Sequence, residues 1–215
     1  MVDMKTQPDG ASAEHLLDPI RARKQQLREH ARLRRGLIGN AQLEEAGPAL
    51  RRESAQYVKT LAAGSTVAAY VSMGHEVPTT PTLDDWRARG LDILVPRLGS
   101  GLEIGWGYYG GSKALQAMPR TTTGGLRPAE PDGCVFGPER LARAEVILIP
   151  AFAVDSQLFR LGRGAGWYDR ALLHRSPRAV LLAVCWPWEM TTQPLPRNAH
   201  DIPVDHVIRL PQPQR

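Results

Sequence analysis

From residue 66 onward, apolar positions gather into short runs separated by turn-forming residues. "TVAAYVSM" (66–73), "LDILVPRL" (91–98), "AEVILIP" (144–150) and "AVLLAVCW" (179–186) are each nearly continuous and apolar, the pattern of strands buried on both faces. "TTPTLDDWRARG" (79–90) lies between the first two, and its early proline and final glycine predict a helix. A strand–helix–strand unit over 66–98 is the signature of a parallel sheet. "LEIGWGYY" (102–109) predicts a third, antiparallel strand, and "HDIPVDHVIRL" (200–210) a short last one.

Before residue 66 the period is helical. Ile20, Leu27, Ala31 and Ile38 recur at helical spacing over 18–38, with Asp18 as N-cap, Pro19 in the first turn and Gly39-Asn40 as the stop. A second helix is expected over 48–62, with Leu50, Val58 and Leu61 inward, and another over "WYDRALLHR" (167–175). Residues 110–140 are dominated by Gly, Pro and Thr and predict a long irregular connection, a kind often tied to function. The organisation is a flexible tail over 1–17 and a single α/β domain over 18–211.

Composition narrows the function classes. With 215 residues and 42% hydrophobic content, the chain can bury one sizeable core. No apolar run is long enough for a bilayer and the start carries no apolar signal core, so a cytoplasmic protein is expected. Cys134 and Cys185 form no CxxC and read as reduced thiols; the six histidines show no HxxxH spacing, against a zinc site. The net charge of +5 is concentrated in "RARKQQLREHARLRR" (21–35). Such a run fits a polyanionic substrate, nucleic acid, an acidic membrane surface or a solvated helix face. Glu29 within it, and the lack of any nucleic-acid module signature, count against nucleic acid.

The densest chemistry is "FRLGRGAGWYDRALL" (159–173), with glycines at 162, 164 and 166. Glycines let a backbone approach a ligand closely and take positive φ, and free N–H groups before a helix attract phosphate. Arg160 and Arg163 add fixed charge. The loop is neither a Walker A motif nor a full dinucleotide fingerprint, whose third glycine would fall one residue later. By itself it reads as a phosphate cradle or as a tight connection. Asp169 is placed either to hold Mg2+ beside phosphates or as a first-turn charge. Trp167 and Tyr168 read as an aromatic face or as core. Lys24 and Arg28, four apart, share one helix face and can grip a polyphosphate. Glu76 follows the first strand, at the edge where open α/β sheets collect ligands, and reads as a heterocycle-binding carboxylate or a solvated loop residue.

Four stretches occur in a fixed order: "KQQLR" (24–28), "YVSMGHEVPT" (70–79), "DSQLFRLGRGAGWYDR" (155–170) and "HDIPVD" (200–205). Together with "VPRL" (95–98) and "RPAEP" (127–131), they resemble the 5-formyltetrahydrofolate cyclo-ligase family over about residues 20–210. The resemblance implies a three-layer α/β fold, with a mostly parallel central sheet flanked by helices, like that of ribose-5-phosphate isomerase and CoA-transferase domains. It implies conversion of 5-formyltetrahydrofolate to 5,10-methenyltetrahydrofolate with ATP as co-substrate and Mg2+, in a monomer without nucleic-acid or membrane partners. Carried over by position, the ATP-binding residues are Lys24, Arg28 and the run Arg160, Leu161, Gly162, Arg163, Gly164, Ala165, Gly166, Trp167 and Tyr168. Val71, Glu76, Arg163 and Trp167 are the expected folate contacts, Arg163 and Tyr168 the catalytic groups, and Asp169 and Asp201 the metal ligands. This chain departs from the family pattern at Trp167, where tyrosine is frequent, and at Ala165, where lysine is frequent. Tryptophan lacks the hydroxyl, so stacking or shielding is the role left to it. A folate-binding relative without turnover is the alternative that this departure raises.

Overall fold

The computed structural model describes residues 19–98, 103–120, 125–198 and 201–211. The expected tail, Asp18 and His200 lie outside the described residues, as does Leu102 at the start of the predicted third strand.

Two helices open the chain, α1 (Pro19–Arg35) and α2 (Asn40–Val58). The first ends three residues earlier than expected because Leu37 and Ile38 close a tight turn, bonding to the carbonyls of Arg34 and Arg35 at 3.1 Å. Ile38 is still buried there. The second begins eight residues before the expected start and runs through Pro48, the first residue of the expected helix and one that favours a helix's first turn. Packing overrides that signal: Ala46, Ala49 and Leu50 are buried against the sheet, and Gly47 lets the helix cross Pro81 closely. A Cβ at Gly47 would lie 3.0 Å from the Pro81 ring.

The sheet strands are β1 (Thr66–Ala69), β2 (Asp92–Arg97), β3 (Gly105–Tyr108), β6 (Val146–Pro150), β9 (Val180–Val184) and β11 (His206–Ile208). Helix α3 (Thr80–Ala88) connects the first two. A short pair, β4 (Leu115–Gln116) with β5 (Glu130–Pro131), gives some order to the expected loop. The spatial order is β11-β9-β6-β1-β2-β3, parallel throughout except for the antiparallel edge strand β3. Alternation assigns the two faces. Val146 and Leu148 pack toward α2 and α3 with Leu50, Leu83 and Trp86. Ile147 and Ile149 pack on the other side with Leu141, Trp167 and Leu172. This is the expected three-layer architecture.

Two departures shape the site. A hairpin, β7 (Ala153–Asp155) with β8 (Arg160–Leu161), stands between β6 and the glycine loop and forms a small second sheet with β10 (Met190–Thr191). The helix after the loop, α4 (Trp167–Ala171), has only five residues and continues as a 3-10 turn over Leu172–His174. So short a helix carries little macrodipole, and the positive potential of the loop comes from its arginines.

Candidate active site

The site lies at the carboxyl edge of the parallel strands. Strand β1 stops at Ala69, four residues short of the expected end, because the chain must turn back through 70–79. The turn is cinched internally. The Tyr70 hydroxyl donates to the Val77 carbonyl at 2.9 Å, and Ser72 and Thr79 exchange backbone-to-hydroxyl bonds at 3.0 and 3.1 Å. This folds Glu76 inward, to 3% exposure, where Oε2 accepts from the Met73 N–H at 3.0 Å. Val71 is buried in the adjoining core, and His75 is exposed.

The glycine loop is set by its hairpin. Asp155 is fully buried; Oδ1 accepts from the N–H groups of Gln157 and Phe159 at 2.9 Å, and Oδ2 from that of Leu195 at 2.9 Å. Three backbone bonds to one carboxylate fix the reversal and sustain Leu158 at a φ of 65°. Arg163 then reaches across the sheet edge, and its Nη1 donates to Glu76 Oε1 at 2.9 Å. Arg160 pairs with Asp169 at 2.5 Å. Gly164, with a φ of +102°, lies so close to Arg28 that a Cβ would meet its guanidinium carbon at 3.0 Å.

Helix α1 closes the site. Lys24 Nζ donates to Asp201 Oδ2 at 2.5 Å, and Arg28 Nε donates to the Gly162 carbonyl at 2.9 Å. One turn before the end of α1's last turn, Ala31 packs with Phe152, Leu161 and Leu195. At its end Arg35 is buried and clamps Glu189 through two bonds of 2.7 and 2.8 Å, with a third to the Ala151 carbonyl at 2.6 Å. Against the cost of burial, the Glu189 bonds raise Arg35 above its ordinary value and keep it charged. Three guanidiniums surround the Phe152 ring, Arg35 at 4.5 Å, Arg32 at 5.5 Å and Arg163 at 5.8 Å from its centre.

The electrostatics follow from this crowding. Burial, then the nearby Arg32, lowers the Arg28 guanidinium, while Asp169 and Asp201 oppose the shift, so both carboxylates act on the same cation. The Tyr168 hydroxyl is buried without a hydrogen-bond partner among the described residues. Burial and then Glu76 push that phenol upward, leaving it a neutral donor. Trp167 turns its ring into the core against Trp106, 5.1 Å away, and donates its indole N–H to the Glu103 carbonyl at 3.1 Å. Among the described residues no three His, Cys, Asp or Glu side chains form a metal cluster, and no helix is long and apolar enough to cross a membrane.

Residues 20–209 match the model of the 5-formyltetrahydrofolate cyclo-ligase family. The chain belongs to that family, a family of ligases in folate one-carbon metabolism. A 5-formyltetrahydrofolate cyclo-ligase of Mycolicibacterium smegmatis is 37% identical over 150 residues, 67% of this chain and 73% of the relative. The 5,10-methenyltetrahydrofolate synthetase of Aquifex aeolicus superimposes with a TM-score of 0.64 at 26% identity, covering 86% of this chain and 88% of that one. The Mycoplasma pneumoniae synthetase, at 16% identity, shares the fold with a TM-score of 0.65 over 86% of this chain and 97% of its own.

The sequence pattern marks Asp155 only as the first letter of a resembling stretch and singles out neither Phe152 nor the Arg35–Glu189 clamp. A signal existed for the clamp. Arg35 lies four residues after the inward Ala31, and Glu189 stands in an otherwise apolar "CWPWEM". A charged residue at each apolar position is the mark of a buried pair.

Proposed function

We propose that the chain is an ATP- and Mg2+-dependent 5-formyltetrahydrofolate cyclo-ligase, forming 5,10-methenyltetrahydrofolate, ADP and phosphate. One observation carries the reading: Lys24 and Arg28 from α1, Arg160 and Arg163 from the glycine loop, and Glu76 from the β1 turn converge at one sheet edge. The curated relative of the same name supports it.

The formyl oxygen of the substrate is a weak nucleophile, so catalysis rests on positioning and charge. It attacks the γ-phosphorus and the bond to ADP breaks. N10 then attacks the activated formyl carbon, and phosphate departs with the former formyl oxygen, carrying away the proton that N10 releases. Lys24, Arg28 and Arg160 hold phosphate oxygens, with the backbone of Leu161, Gly162, Gly164, Ala165 and Gly166 as cradle. Arg163 serves both substrates, a role supported by its bond to Glu76, the residue assigned to the folate. Glu76 takes hydrogen bonds from the pterin, Val71 lines its apolar wall, and Tyr168 is the neutral donor. Trp167 shields the loop from behind rather than presenting a free face.

Asp169 and Asp201 fit Mg2+ by donor chemistry: it takes one or two carboxylates together with phosphate oxygens. Asp169 pairs with Arg160 and Asp201 with Lys24, two of the cations assigned to the phosphates. When bound, the ion neutralises charge developing on the phosphates. The reading fits a protein acting in the cytoplasm as a monomer on small molecules.

The test is the near-ultraviolet absorbance of the methenyl product with ATP, Mg2+ and 5-formyltetrahydrofolate. Growth of that band with equimolar ADP is the expected result. Tight folate binding without ADP release would instead mark the binding relative without turnover.

A further inference from the structure

We infer that Arg32, on the fourth turn of α1, is a further phosphate-binding residue of the nucleotide site, reaching the same polyanion as Arg28. The inference rests on the nucleotide reading above.

Arg32 follows Arg28 by four residues, so the two guanidiniums leave one helix face. Their proximity is felt electrostatically, since Arg32 is among the groups that depress Arg28. Arg28 itself is fastened to the glycine loop through the Gly162 carbonyl at 2.9 Å. On its other side Arg32 lies over Phe152, 5.5 Å from the ring centre, and Arg163 of the loop lies 5.8 Å from the same centre. Arg32 therefore stands between a residue of the helix grip and a residue of the loop.

Its charge also lacks a balance that its neighbours have. Lys24 is paired with Asp201, Arg35 with Glu189, Arg160 with Asp169 and Arg163 with Glu76. Among the described residues the Arg32 side chain makes no hydrogen bond or ion pair, and the Arg28 side chain bonds to a neutral carbonyl. Neither guanidinium bonds directly to a carboxylate, and two adjacent cations repel one another unless an anion joins them. The Phe152 face holds Arg32 in place without consuming its N–H groups. Arg34, two residues on, makes a useful contrast: it lies over Trp188, 5.6 Å from the ring centre.

The experiment is titration calorimetry of ATP and of inorganic tripolyphosphate with the whole protein, as wild type, Arg32→Ala, Arg32→Lys and Arg34→Ala. One lost charge-assisted bond weakens both ligands about tenfold in Arg32→Ala. Arg32→Lys is expected to restore part of the affinity, and Arg34→Ala to leave it unchanged. Circular dichroism checks the fold, and Arg32→Gln replaces the alanine variant if that one unfolds. Unchanged affinity in the neutral variant overturns the assignment. So does weakened ATP with unchanged tripolyphosphate, which would place Arg32 on the nucleoside. If the wild type binds neither ligand, the nucleotide reading fails instead, which keeps the two failures apart.

Discussion

Arg163 and Glu76 are 87 residues apart in sequence, yet Nη1 of one lies 2.9 Å from Oε1 of the other. The pair is asymmetric: Glu76 is buried while a third of the Arg163 side chain faces solvent. The carboxylate therefore acts as a fixed mount, and the guanidinium keeps donors free to face a ligand.

Arg163→Ala is expected to lower kcat by about a hundredfold or more, as loss of a charge-stabilising donor does. It also leaves Glu76 with the Met73 N–H as its remaining bond, for a stability cost of about 1–3 kcal/mol. Glu76→Gln keeps a bond from Met73 but loses the mount. Steady-state kinetics should then show a lower kcat with the KM for ATP almost unmoved. A Glu76→Gln enzyme of wild-type kcat would contradict the mounting role.

The loop glycines are not equivalent. Gly164 combines a φ of +102° with a guanidinium 3.0 Å from any added Cβ, whereas Gly162 has nothing within 4 Å. Gly164→Ala should strain the loop and push Arg28 away, losing about 1–3 kcal/mol of stability. Gly162→Ala should stay within about 0.5 kcal/mol of wild type. Thermal melts of the two variants without ligand compare them directly; equal melting points would refute the distinction.

Glu189 is too far along the chain to suggest a role beside α1, yet it carries the end of that helix. Glu189→Ala strands the Arg35 charge in the interior, and breaking a buried pair from one side costs about 3–5 kcal/mol. The loss should appear in a chemical melt. In the surviving folded fraction, α1 would hold Lys24 and Arg28 less firmly, so the KM for ATP should rise more than that for folate. Parallel rises in both would point to general loosening instead.

Alkaline pH should destabilise the fold. Burial pushes the Cys185 thiol up to about 12 and pushes the phenols of Tyr70, Tyr109 and Tyr168 upward. An unfolded thiol ionises near 8.5 and an unfolded phenol near 10. Above those values the unfolded chain has released protons that the native chain retains, so stability falls as pH rises. The contribution of Cys185 is fully present below the unfolded thiol value and is lost progressively up to about 12. Urea melts from pH 8 to pH 11 measure this, and Cys185→Ala should flatten the first part of the decline. A thiol reagent at neutral pH should label Cys134, which is exposed, and reach Cys185 only on unfolding.

Much of this molecule was open to reading from its letters. Continuous apolar runs located the strands at 66, 91, 144 and 179, because burial on both faces leaves no polar position. Boundaries moved where a tertiary contact outweighed a local signal. Pro48 reads as a helix start, yet α2 passes through it because Ala46, Ala49 and Leu50 all gain burial. The glycine loop and the ordered motifs carried the family resemblance, since close backbone approach and fixed charge demand particular residue types at particular spacings. Trp167 was legible only as an aromatic with two possible faces; its packing on Trp106 and its bond to Glu103 place the ring inward.

By itself, then, the sequence determined the alternation of elements, the burial of the central strands and the residue types able to grip a phosphate. Those properties are local, written in periods of two or about 3.6 residues and in short motifs. Only the tertiary structure decided which charges meet: Arg163 with Glu76, Lys24 with Asp201, Arg35 with Glu189. The physical reason is that each pairing joins segments remote in sequence: the strand order β11-β9-β6-β1-β2-β3 sets the β1 turn beside the chain that follows β6, and the packing of Ala31 on Phe152, Leu161 and Leu195 seats α1 against it. No period along the chain records that crossover path.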